Sequence, residues 1–233
     1  MTDARPADDT APRPRVVVID DASQTRDTFQ IAFPALDLVA AYSHVDALLK
    51  DKPTVDVVVL DLMLSTSLDK PVLQGPRAIG ELSGLGYRVC VYSDERRLLV
   101  LARCFSAGAR GLARKSDRLD ENQTAFLKVA AGDLVVPRTM VELAELLSRR
   151  DRLPELTPRQ TEVLSARARG EAWDALSRRI GISPKTAQDR LSAVMSKMVW
   201  YLQDAGLDPN ASPADVERAL GLAPGDLNDP RGY

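Results

Sequence analysis

Five short β-branched runs, separated by stretches with helical spacing, constrain this chain more than any other feature. VVVID at 16–20, LVAAY at 38–42, VDVVVLDL at 55–62, VCVY at 89–92 and GLA at 111–113 read as strands. Between them, 23–33, 44–50, 75–85, 95–107 and 120–131 carry apolar residues at helical spacing. Strand–helix alternation predicts βαβ units and a parallel sheet. The 55–62 run is apolar on both faces, as a central strand covered on both sides should be. The expected fold is α/β: a doubly wound five-stranded parallel sheet with its chemistry at the carboxyl ends of the strands.

From Leu156 onward the pattern becomes all-helical. Thr157-Pro158 is a cap followed by Pro at the first helical position, opening a helix to about Arg169. A second helix is expected from Trp173 to Ile180, closed by Gly181. Ser183-Pro184 opens a third, running to about Leu202. A short helix, a Gly-containing turn and a capped helix make a helix-turn-helix signature. Ser212-Pro213 repeats the start signal for a last helix over 210–220. The chain thus divides into a disordered leader (1–14), an α/β domain (15–131), a linker with a short helix from Val141 to Arg150 (132–155), a helical domain (156–202) and a helical extension with an acidic tail (203–233).

Composition excludes several classes. Among 233 residues there is one histidine, His44, which removes His-based metal sites and Ser-His-Asp triads. Two cysteines in apolar surroundings, Cys90 and Cys104, argue against a disulfide framework or zinc cluster and fit a reducing cytoplasm. No apolar run is long enough to span a membrane. Residues 151–200 hold 9 basic and 6 acidic groups, a net of +3, against 2 basic and 6 acidic in 201–233, a net of −4. A modest basic block before an acidic tail is compatible with nucleic-acid binding without demanding it.

The carboxylates are more informative. Asp20 and Asp21 end the first expected strand and Asp61 the third; Ser93 follows the fourth and Lys115 the fifth. In a parallel sheet all five converge on one edge. Three carboxylates meeting there need a cation, and Mg²⁺ with oxygen ligands is the natural choice. A lysine supplies a point charge for an anion, and a hydroxyl completes a pocket for a phosphoryl group on a carboxylate. Any one of these residues alone more often caps a helix; four positions in order on the right strands carry the argument.

Over about residues 15–131 the chain resembles the receiver domains of two-component response regulators, through Asp20-Asp21, Asp61 after its apolar strand, Ser93 in VCVYSD and Lys115 in GARGLARKSD. The resemblance implies that Asp61 is the phosphoacceptor. It implies that Asp20, Asp21, Asp61 and the Met63 carbonyl hold Mg²⁺, and that Lys115 and Ser93 engage the phosphate. There are departures. Ser65 stands near the usual Pro, the matching Gly is Gly75, and the loop STSLDKPVLQ is several residues longer than usual. Asp94 replaces a small residue, and Leu112 stands where an aromatic switch residue is common.

The segment 156–198, LTPRQTEVL through GIS at 181–183 and Thr186, resembles the LuxR/FixJ (NarL-like) helix-turn-helix. Its third helix is expected to project Lys185, Gln188, Asp189 and Ser192 outward, while Ala187, Leu191 and Val194 or Met195 pack inward. By the resemblance this helix enters the major groove. Gln188 suits adenine and Asp189 cytosine. Lys185, Lys197, Arg178, Arg179 and Arg190, in a place where the family often has His, suit phosphates, and Thr186 belongs to the motif. The alternative is a solvated helix face.

The expected protein is a cytoplasmic, non-enzymatic, homodimeric transcription regulator that binds DNA, with a histidine kinase as phosphodonor and no membrane partner. Alternatives are an orphan regulator controlled by a ligand or partner protein without phosphorylation, a protein-binding helical module, and a hydrolase using Asp61 as nucleophile.

Overall fold

A computed structural model of the chain describes residues 12–64, 72–208, 210–222 and 224. Most of the expected leader, of the 65–74 loop with Ser65, and of the acidic tail lies outside the described residues.

The α/β half follows the strand–helix alternation. In order come β1 (Arg15–Ile19), α1 (Ser23–Ala32), β2 (Asp37–Tyr42), α2 (Val45–Asp51), β3 (Val57–Leu60), α3 (Gly75–Gly84), β4 (Val89–Tyr92), α4 (Leu98–Ser106), β5 (Gly111–Ala113) and α5 (Leu119–Ala130). The strands form one parallel sheet in the order β2-β1-β3-β4-β5. Chain order reverses between β1 and β3, and such a switch point opens a crevice at the strands' carboxyl ends.

Strand periodicity sorts the core into two layers. Val16, Val18, Val57, Val59, Cys90 and Tyr92 face α1 and α5, where Phe29, Phe33 and Phe126 pack. Val17, Ile19, Val58, Leu60, Val89 and Val91 face the opposite layer with Leu48, Ile79 and Leu82. Tyr92 meets Phe33 and Phe126 edge-on, at centroid distances of 6.1 and 5.4 Å, a favoured aromatic geometry. The thiols of Cys90 and Cys104 are buried and unpaired, and burial pushes both pKa values upward, Cys104 to about 12.

The second half contains α6 (Arg138–Arg149), α7 (Pro158–Ala168), α8 (Trp173–Ile180), α9 (Pro184–Asp204) and α10 (Pro213–Leu220). Capping chemistry sets these starts. Thr157 and Gln160 form a capping box, Ser183 accepts from the Thr186 N–H, and Ser212 and Asp215 form a second box. Gly181 turns α8 into α9 at φ +68°, where a side chain would be strained. The α6 helix packs on α7 and α9, and so belongs structurally to the helical half.

α4 begins at Leu98, three residues later than expected, because the Glu95 carboxylate captures the Arg96 and Arg97 N–H groups at 2.9 and 2.7 Å. It buries Leu98, Leu99, Leu101, Ala102, Cys104 and Phe105. A helix this apolar must be covered on more than one face. The sheet covers one, and α9 covers another, in one of the largest helix–helix interfaces of the molecule. A single apolar cluster therefore runs from β3 through α4 to Leu191, Val194 and Met195 of α9.

Candidate phosphoacceptor site and recognition helix

The strand ends bring together the acidic residues expected to meet. Asp20, Asp21 and Asp61 each present a carboxylate oxygen, all within 4.8 Å of one another. Asp20 and Asp61 are buried. Lys115, at the mouth of β5, places Nζ 2.7 Å from Asp20 Oδ2 and 2.9 Å from Asp61 Oδ2. Ser93 is buried directly after β4, its N–H donating to the Ala113 carbonyl at 3.1 Å. Met63 is exposed, and its N–H donates to Asp61 Oδ1 at 3.4 Å. Asp94 accepts from the Ser116 N–H at 2.8 Å, so its carboxylate is turned onto the β5–α5 loop.

Burial pushes the Asp61 pKa above the ordinary aspartate value, although Lys115 pulls it the other way. Burial would lower the Lys115 pKa, but its bonds to Asp20 and Asp61 prevail and hold it above the ordinary lysine value. The lysine is thus a permanent cation at a site with excess negative charge. Three oxygen donors from carboxylates suit a small hard cation such as Mg²⁺.

Two residues missed in the sequence complete this site. Arg26 donates from Nη1 to the backbone carbonyls of Asp20 and Asp21, at 2.6 and 2.8 Å, and so fixes the acidic turn. Its signal was its place on the first turn of α1, the helix that directly follows the acidic pair. Tyr92 lies under Lys115, with Nζ 5.8 Å from the ring centroid. Leu112, half-buried on β5, neighbours the Tyr92 strand.

The helix-turn-helix residues are arranged differently from the expectation. Gln188, expected to project outward, is 2% exposed. Its Oε1 accepts from Arg110 Nη2 at 2.5 Å, and its Nε2 donates to Asp133 Oδ1 at 3.1 Å. The cause is tertiary: α4 and the 131–133 turn press on the α9 face that carries Gln188. Ser192 is half-buried on that same side. Lys197 donates to the Glu155 carbonyl and to Gln160 Oε1, and so faces the linker and α7. Thr186 Oγ1 lies 2.8 Å from Ser183 Oγ in the cap. Asp189 is exposed, 3.3 Å from Lys185 and 3.8 Å from Arg110. Lys185 is exposed and Arg190 half-buried. Arg179 pairs with Glu162 and Glu171 at 3.1 and 2.9 Å. Ala187, Leu191, Val194 and Met195 pack inward as expected.

Other contacts reinforce this docking. The Trp173 indole N–H donates to the Leu134 carbonyl at 3.2 Å, and Arg167 lies over the same indole ring, 4.3 Å from its centroid. Glu95 holds Arg97 through paired bonds, and Arg97 Nη1 donates to Asn210 Oδ1 at 2.7 Å. The loop that starts at Ser93 thereby touches the segment leading into α10.

No protein-family profile matches the chain. The chain is 31% identical over 111 residues to SgaR of Hyphomicrobium methylovorum, named as a probable transcriptional regulatory protein; the match spans 48% of this chain and 51% of SgaR, about half of that relative. It is 27% identical over 152 residues to a protein of Pseudomonas aeruginosa named as a transcriptional regulator, covering 63% of this chain and 70% of that one. Among solved structures it is similar to RcsB in a complex with DNA, at a TM-score of 0.51 and 17% identity, covering 90% of this chain and 98% of that one. A second RcsB structure, from Salmonella typhimurium, gives a TM-score of 0.50 at 17% identity, covering 84% of this chain and 99% of that one. The chain therefore has the fold of the response regulator RcsB, a five-stranded parallel sheet joined to a helical unit.

Proposed function

We propose that this protein is a transcription regulator that binds DNA through α8 and α9 and is switched by phosphorylation of Asp61. The observation that carries the reading is the meeting of Asp20, Asp21, Asp61 and Lys115 at one sheet edge. An Asp61 oxygen attacks the phosphorus of a phosphohistidine on a partner kinase. The new O–P bond replaces the P–N bond, and the imidazole leaves with a proton. The acyl phosphate carries roughly 1.5–2 negative charges where the carboxylate carried one. Lys115 moves from neutralising Asp61 to neutralising the phosphoryl oxygens, and the Ser93 hydroxyl donates to one of them. Asp20, Asp21, Asp61 and the Met63 carbonyl would hold Mg²⁺. When bound, that ion offsets the charge that develops on the transferring phosphoryl group.

The docked α9 supplies the off state. Gln188 cannot reach a base edge while it is bonded to Arg110 and Asp133. A rearrangement of Ser93 and the following loop alters α4, the helix on which α9 rests, and biases the two-state contact toward release. The released protein forms a dimer on DNA, where Lys185, Thr186, Asp189, Arg190, Ser192 and Lys197 join Gln188 in contacting phosphates and bases. RcsB, which shares the fold, has been solved as a complex with DNA. No helix among the described residues is long and apolar enough to cross a membrane.

The test is a mass measurement after acetyl phosphate and Mg²⁺. Wild type gains one phosphoryl group and Asp61→Asn gains none. An unmodified wild type, or a modified Asp61→Asn, contradicts the assignment. The second reading, ligand control without phosphorylation, is favoured by the polar cavity beside α9.

A further inference from the structure

A cavity of about 670 Å³ lies between the two halves, walled by the turns at 86–88, 106–110 and 131–133 and by α9. It is within the size range of small-molecule sites. Its charge is uneven. Arg88, Arg110 and Lys185 line it, with Asp133 the one lining carboxylate among the described residues. Asp189, at the rim, is shared between Lys185 and Arg110.

The two guanidiniums converge on one turn. Arg88 Nη1 donates to the Ala130 carbonyl at 2.7 Å, and Arg110 Nη2 donates to the Gly132 carbonyl at 2.9 Å. A side chain at 132 would lie 3.8 Å from the Arg88 guanidinium. Burial is the main cause of Arg110's depressed pKa; the Arg88 charge adds to it, while Asp189 and Asp133 oppose it. Among the described residues no carboxylate lies within ion-pair distance of Arg88. A guanidinium has five N–H donors, so most of those on Arg88 have no acceptor among the described residues. Hydroxyls from Ser83, Ser106, Ser192 and Ser196 line the remaining wall. A donor-rich, hydroxyl-lined space with paired guanidiniums suits a ligand rich in acceptors and carrying a compact double negative charge.

We propose that this cavity binds a small phosphate ester carrying hydroxyl groups, with its phosphate on Arg88 and Arg110. Both walls belong to the closed arrangement, one from the α/β half and one from α9. A ligand spanning them stabilises closure and, by linkage, weakens DNA binding. The binding site stands apart from the phosphoacceptor; only the effect on DNA rests on the proposed function.

The test is titration calorimetry on the full chain with glucose 6-phosphate, ADP and inorganic phosphate, the two organic arms separating a sugar phosphate from a nucleotide. At least one organic phosphate is expected to bind more tightly than inorganic phosphate. Arg88→Gln weakens that binding about tenfold, the loss expected for a charge-assisted bond. Ser192→Trp, which fills the space without removing a charge, abolishes it. Thermal midpoints of both variants, expected close to that of wild type, guard against a variant that fails to fold. Organic phosphates that bind no better than inorganic phosphate, or that bind Ser192→Trp as they bind wild type, overturn the proposal. Loss of salt-sensitive DNA binding in every state, with phosphate-ester binding intact, would instead overturn the DNA reading and leave the cavity assignment standing.

Discussion

The acidic sheet edge and α9 both carry polar clusters, but these are held in opposite ways. At the sheet edge, charges of one sign are crowded by backbone that cannot move without unfolding: Asp20 and Asp61 end adjacent buried strands. At α9, a polar side chain is held by partners 78 and 55 residues away in sequence, Arg110 and Asp133, across a contact between halves. The first cluster is fixed and, on the proposed function, accepts a cation and a phosphoryl group. The second is satisfied as it stands, and on the proposed function it must be opened to act. A switch needs both, a rigid site where charge changes and a separable contact that the change can bias.

Removing the lysine is the strongest way to break this contrast. Lys115→Ala leaves two buried carboxylates facing each other, and breaking such a pair costs about 3 kcal/mol. The expected result is a thermal midpoint lower by roughly 6–12 °C in Mg²⁺-free buffer, partly restored by Mg²⁺. An unchanged midpoint by calorimetry would mean that the edge is not electrostatically crowded.

Next comes the separable contact. Arg110→Ala removes the charged partner of Gln188 and loosens Asp189. Salt-dependent DNA binding should strengthen about tenfold or more without phosphorylation, because a hydrogen bond to a charged group contributes about 1.5–3 kcal/mol. Fluorescence anisotropy on genomic fragments checks this, and weaker binding would show Arg110 acting on DNA itself.

The acidic edge should also show its crowding through pH. Burial raises the Asp61 pKa in the folded chain, so the native state binds more protons than the unfolded one just above the ordinary aspartate pKa of about 3.9. Stability from this group therefore falls as pH rises through that window and stays lower at neutral pH. Asp61→Asn should raise the midpoint by about 2–4 °C at pH 7, with the gain shrinking toward pH 4. A gain that persists unchanged in acid would contradict the cause.

The smallest effect belongs to the outer clasp. Asn210→Ala removes one exposed bond from Arg97, worth about 0.5 kcal/mol. It should accelerate hydrogen exchange in α10 about twofold while leaving phosphorylation of Asp61 unaltered.

The same contrast explains what could be read from sequence. The edge was legible because strand periodicity and parallel order together place residues 20, 61, 93 and 115 side by side. α9 was legible as a helix, since Ser183-Pro184 and the spacing of Ala187, Leu191 and Val194 are local signals. The burial of Gln188 was not. It depends on α4 being apolar on more than one face, and no local pattern states which segment covers the second face of α4. The late start of α4 had a readable cause, the Glu95 carboxylate bonding its own neighbours, but an acidic residue at a helix start is equally a common first-turn residue. Arg110 gave no signal, since one arginine before a short strand is ordinary.

The most direct test of the central claim is DNA binding by the full chain before and after acetyl phosphate with Mg²⁺, with Asp61→Asn as control, across a salt series. Phosphorylation should strengthen binding at least tenfold in wild type, leave Asp61→Asn unchanged, and preserve a negative dependence on log salt. Equal affinities for the phosphorylated and unphosphorylated wild type would contradict the coupling of Asp61 to release of α9.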